Sequence, residues 1–191
     1  MAFLTDSDLR IRGQRLDERI RKTANRLTPD KDLFLSYSQL DEDLVKGAVS
    51  LLADNGAHPY VDKADAVVST LATPTAKASH FRERIRQCGR LVLMVTENTV
   101  LFSNWTPWEV GLADGMFGSV RVATLPVGRQ GRDEAWGEKE YLALYPRVER
   151  IVFKVGLQPE LGVRDPADGL CWRFNEWMSL KAAPSGGPLY G

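Results

Sequence analysis

The chain reads as an α/β protein of flavodoxin-like design, a five-stranded parallel sheet flanked by helices with an extra helix at the N-terminus. Three observations lead there. Short apolar runs alternate along the chain with helical patterns, the signature of βαβ units and a parallel sheet. The run LVLMV (91–95) has no polar position, as a central strand covered on both faces requires. Gly56 and Gly89 each close a helical stretch, where a left-handed residue ends a helix at little cost.

The elements follow in order. Residues 5–27 predict an amphipathic helix: Thr5 and Asp8 have capping-box spacing, and Leu9, Leu16, Ile20, Ala24 and Leu27 form one stripe. The other face carries arginines, among them Arg10, Arg12 and Arg15, but the stripe lacks the Trp or Phe anchors of a membrane-surface helix. It reads as a helix packed on the main domain or on a neighbouring subunit. Strands are expected at 33–38, 57–62, 90–96, 120–127 and 148–155. Helices are expected at 40–56, 77–89, 107–117, near 138–145, and at 166–181. The division is an N-terminal helix (1–28), a main domain (29–181) and a flexible tail (182–191). Right-handed crossovers then put the ligand crevice at the carboxyl ends of the strands.

Bulk properties exclude several classes of function. The 191 residues carry 25 basic and 25 acidic side chains, which argues against a nucleic-acid partner because phosphate binding needs a basic excess. No apolar run approaches the roughly 18 residues of a membrane span. The start MAFLTDSDLR lacks a signal-peptide pattern, and Cys88 and Cys171 have no metal-ligand spacing. Reduced thiols in a cytoplasmic protein, with no metal site, are expected.

Four segments converge on the carboxyl edge: Ser36, Tyr37 and Ser38; Asp62 and Lys63; Thr96, Glu97 and Asn98; and the loop leading to Trp108. SNWTPWEVGLADG (103–115) is the most informative. In one reading Thr106 and Glu109 form a capping box, with Trp105 and Val110 as its hydrophobic staple. In the other, Glu109 shares helical spacing with Leu112, Ala113 and Met116 and faces the crevice, with Gly111 and Gly115 permitting close packing. Burial beside Trp105 or Trp108 raises its pKa and the helix N-terminus lowers it, so sequence alone leaves the net sign open, and a capping role is compatible with a ligand-binding one. His58 and His80 lack a nucleophile partner and read as structural. FRERIRQ (81–87) reads as a solvated helix face, and 128–140 contains no P-loop.

Together these segments resemble the TIR domain family, in particular the stand-alone bacterial proteins of Thoeris-like antiphage defence. DLFLSYSQLDE (32–42) is similar to the family's first box, and GAHPYVD (56–62) to its second strand. RLVLMVTENTVLFSNWTPWEVGLA (90–113) is similar to the central strand followed by S-x-W-x-x-x-E. The BB-loop segment 63–77 lacks the Pro-Gly pair of many adaptors, and Cys171-Trp172 matches the third box loosely. The resemblance implies cleavage of NAD+ at the nicotinamide–ribose bond, with Glu109 catalytic. It places Ser36, Tyr37, Asp62, Lys63, Ser103, Trp105 and Trp108 around the substrate. It also implies no separate cofactor, a homo-oligomer, and a separately encoded effector that senses the product. The alternative function is a non-catalytic TIR–TIR interaction module.

Overall fold

A computed structural model describes residues 4–15, 31–128 and 139–180. Its strands are β1 (Leu4–Thr5), β2 (Leu33–Ser36), β3 (Pro59–Tyr60), β4 (Leu91–Val95), β5 (Val122–Gly128), β6 (Arg147–Ile151), β7 (Glu160–Arg164) and β8 (Cys171–Arg173). The helices are α1 (Asp6–Gln14), α2 (Glu42–Asp54), α3 (Pro74–Cys88), α4 (Glu97–Phe102), α5 (Thr106–Phe117) and α6 (Phe174–Ser179). All strands share one sheet, in the order β3-β2-β4-β5-β6-β7-β8 with β1 added to β5. The pairings from β3 across to β6 are parallel, so the expected strands keep the flavodoxin-like order. That order puts the topological switch point between β2 and β4.

The sheet exceeds the five strands expected. β7 and β8 extend it antiparallel from β6, and Leu4 and Thr5 pair with Val127 and Gly128. The helix expected over 166–181 is therefore shorter, because Cys171–Arg173 is drawn into the sheet by β7. This is a long-range cause that local periodicity does not carry. The short helix near 138–145 is a 3-10 turn over Glu140–Leu144. α4 has no counterpart in the sequence reading, since six residues show too little periodicity to register. No helix among the described residues is long and apolar enough to cross a membrane.

Side-chain alternation sorts the core into two faces. Leu33, Leu35, Val92, Met94, Ala123 and Leu125 pack with α1, α2 and α6. Phe34, Leu91, Leu93 and Val95 pack with Ile85 of α3 and Val110 and Ala113 of α5. Ser36 follows Phe34 by two residues and so projects on the α5 face. α1 has the expected capping box, with reciprocal 3.1 Å bonds between Thr5 and Asp8. It lies directly on α2: a Cβ on Gly47 would fall 2.0 Å from the Leu9 carbonyl oxygen, so glycine is required there. Ion pairs Arg10–Asp43 and Arg12–Asp54 flank the crossing. The expected continuation of this helix, most of the Gly-rich loop and the tail lie outside the described residues.

Candidate active site

Pro107 stands in the first turn of α5, where its missing N–H costs nothing, and the helix then presents Thr106, Glu109, Val110 and Ala113 inward. Glu109 is 6% exposed. Across the switch point, the Ser36 hydroxyl at the end of β2 donates a 2.5 Å hydrogen bond to Glu109 Oε2. Burial pushes the Glu109 carboxyl up; the Ser36 bond opposes this and the Asp62 charge adds to it, leaving it at about 7. A carboxyl poised there can act as acid or base at neutral pH.

The capping-box reading of this turn is overturned. Trp105 occupies the N-cap and makes no side-chain cap. The Thr106 hydroxyl is buried with no hydrogen-bond partner, while Glu109 reaches across to Ser36 instead. Gly111 and Gly115 do not serve close packing either, since a Cβ on each would meet open space. Contact with the sheet beyond the first turn is made by Val110 and Ala113 instead.

The other expected residues surround this pair unequally. Tyr37 hydrogen-bonds Asp62, and its phenol is pushed above the ordinary value by burial and then by the Asp62 charge. Asp62 also accepts a 2.7 Å bond from the Lys63 amide. The Lys63 ammonium is at the rim, paired with Glu42 rather than turned inward. Ser103 is half-buried, and its Oγ accepts a 3.4 Å bond from Thr106 N. Trp105, 38% exposed, makes edge contacts with Trp108 at 5.6 Å and with Phe81 at 5.9 Å. Phe81 contacts Phe34, which stacks on Tyr60 at 5.2 Å, so aromatic rings run from the buried sheet to the crevice rim.

Two buried acids at this edge escaped the sequence reading. Asp41 accepts bonds from Thr96 Oγ1 (2.6 Å) and Asn98 Nδ2 (2.7 Å), tying the β2–α2 turn to the β4–α4 turn across the switch point. In sequence it is the first of three acids at a helix start, an ordinary dipole-complementing pattern. Asp65 collects bonds from Tyr60, His80 and Arg84. His80 is thus structural as expected, and His58 pairs with Asp32 at the surface. The 81–87 stretch is only partly a solvated face: Arg86 pairs with Glu83 in solvent, but Arg84 turns inward to Asp65.

Comparison with known proteins bears on this arrangement. "Probable 3' cyclic ADP-D-ribose synthase ThsB'" of Bacillus cereus (strain MSX-D12) is 32% identical over 148 residues, covering 77% of this chain and 75% of that protein. The chain belongs to the ThsB' family. The ThsB' match spans far more than the three boxes around the crevice, and it accords with the TIR-like, flavodoxin-like order of the sheet. No protein-family model matches the chain.

Proposed function

We propose that this protein is an NAD+ nucleosidase of the ADP-ribosyl cyclase type, which breaks the nicotinamide–ribose bond and joins the ribose carbon to an acceptor in the same molecule. The observation that carries the reading is the buried Glu109 carboxyl, held by Ser36 at the switch point and raised to about 7. As the glycosidic bond breaks, its electron pair passes to the ring nitrogen and neutralises the pyridinium. Nicotinamide therefore leaves without a proton. The ribose carbon becomes oxocarbenium-like, and an ionised Glu109 beside it stabilises the developing positive charge. Trp105 and Trp108 supply flat surfaces for nicotinamide, and Tyr37 and Asp62 supply polar contacts to the nucleotide. NAD+ is the substrate, with no separate cofactor.

The relative's name specifies a 3' cyclic isomer. If the same product forms here, a ribose hydroxyl attacks, a C–O bond forms, and the hydroxyl proton must pass to a base. A carboxylate whose conjugate acid ionises near neutrality suits that step. Water attacking in place of that hydroxyl gives ADP-ribose. We infer that the product serves as a nucleotide signal in antiphage immunity, made in the cytoplasm by a homo-oligomer and read by a separately encoded effector.

Incubation with NAD+ in isotope-labelled water tests the reaction type. Free nicotinamide with an unlabelled product one water lighter than ADP-ribose is expected. Labelled ADP-ribose alone would make the protein a hydrolase, and absence of nicotinamide at every protein concentration would overturn the reading.

A further inference from the structure

Three residues beyond Asp62 stands a second carboxylate closed off from solvent. Asp65 is 2% exposed. Its Oδ2 accepts from the Tyr60 hydroxyl (2.8 Å), from Arg84 Nε (3.2 Å), and lies 2.7 Å from His80 Nε2. Its Oδ1 accepts from the Val67 amide at 3.0 Å. These donors come from the end of β3, from the loop itself, and from one face of α3, where His80 and Arg84 are spaced i, i+4.

The backbone closes on the same point. The Asp65 amide donates to the Asp62 carbonyl (2.9 Å), and the Val68 amide donates to the Asp65 carbonyl (3.1 Å). Tyr60, besides bonding Asp65, stacks on Phe34 two residues before Ser36, and the Arg84 guanidinium lies 5.7 Å over the Tyr60 ring. A continuous set of contacts therefore runs from Asp65 to the strand that carries Ser36. Packing α3 on the sheet does not need this device, because apolar side chains of similar volume do that work at least as well. What the carboxylate adds is a defined position for the segment between β3 and α3.

We propose that Asp65 is a positioning residue that fastens the 62–70 loop to α3, so that Asp62 and Tyr37 stand against Glu109 at the substrate crevice. The proposal rests on the NAD-cleaving reading of that crevice. Its reach into the chemistry is through Asp62, which bonds Tyr37 and whose charge acts on Glu109 against the opposing Ser36 bond. Release of the loop carries Asp62 away and admits water, and both changes lower the Glu109 pKa.

The test compares full-length wild type, Asp65→Asn, Asp62→Asn and the double variant. Asparagine keeps the size of Asp65, but its single carbonyl oxygen can accept on only one side, from Val67 or from Tyr60, and it gives His80 and Arg84 no charge to pair with. In Asp65→Asn, amide hydrogen exchange at Asp65 and Val68 is expected to accelerate. KM for NAD+ should rise roughly tenfold to a hundredfold, with kcat changing less. The pH limb belonging to Glu109 should move to lower pH, as in Asp62→Asn, and the double variant should move it no further than Asp62→Asn alone. Wild-type exchange, KM and pH limb in Asp65→Asn, or a lowered Tm with those three unchanged, would overturn the proposal. So would fully additive shifts. If Asp65→Asn does not fold, His80→Gln and Arg84→Met keep the carboxylate and its Tyr60 bond and are read by the same measurements. The two readings fail separately: wild type that releases no nicotinamide sinks the NAD-cleaving reading, whereas unchanged exchange across the loop sinks the fastening whatever the activity.

Discussion

Glu109 and Asp65 are both buried carboxyls at the same edge of the sheet, yet their surroundings push them in opposite directions. Glu109 receives one hydroxyl bond and faces the charge of Asp62, so desolvation prevails and its carboxyl rises to about 7. Burial pushes Asp65 up as well, but bonds from Tyr60, His80 and Val67 outweigh it and hold the group below its ordinary value. Glu109 is set deeper in the protein and has one donor, whereas Asp65 lies nearer the surface among several, so depth and donors together decide which protonation state the fold favours. A carboxyl with few donors keeps bonding capacity for a ligand, and one saturated by its neighbours acts as a fastener.

The sharpest way to break this contrast is to neutralise the two groups in turn. Glu109→Gln should lower nicotinamide release by about a thousandfold or more, the loss expected for a group that meets charge only in the transition state. The variant should be as stable as wild type or more so, because the amide removes the burden of burying a charge. That burden has a pH signature. Between about 4.5 and about 7 the folded chain still holds a proton that the unfolded chain has lost, so this group's contribution to stability falls as pH rises through the window. Thermal melts across it should show a component in wild type that is absent from Glu109→Gln. For Asp65 the sign reverses: its depressed pKa contributes stability above the ordinary value of 3.8, lost as pH falls below it. The decline should be shallower in Asp65→Asn.

Ser36→Ala comes next in size. Loss of the bond that lowers the Glu109 pKa should move its pH limb upward, opposite to the shift in Asp62→Asn, and reduce turnover at neutral pH about tenfold. A limb moving downward in Ser36→Ala would contradict the assigned electrostatics. The smallest effect belongs to Thr106→Val. Its hydroxyl is buried without a partner, so its removal should leave Tm unchanged or slightly raised and turnover within about twofold of wild type.

The parts legible in the sequence are those governed by local period. Alternation in LFLSYS places Ser36 on the same face as Phe34, and helical spacing places Glu109 on the inward side of α5. The strand order follows from alternating elements and right-handed crossovers. The illegible parts depend on contacts far apart in the chain. Asp41 and Asp65 sit in stretches whose acids read equally well as solvated, and only the folded neighbours Thr96, Asn98, His80 and Arg84 show that they are buried. The Thr106–Glu109 spacing fits a capping box so well that local pattern favoured the wrong bond. It lost because Ser36, 73 residues earlier, offers Glu109 a buried partner. β7 and β8 likewise owe their existence to pairing beyond β6.

The most direct test of the central claim is release of nicotinamide from NAD+ by purified wild type beside Glu109→Gln, with a thermal melt of each. Catalysis by Glu109 requires release by wild type and its loss in the variant, with a variant Tm at or above that of wild type. A folded Glu109→Gln protein that cleaves NAD+ at the wild-type rate would contradict it. So would a folded wild type that releases no nicotinamide, the outcome that fits a non-catalytic interaction module.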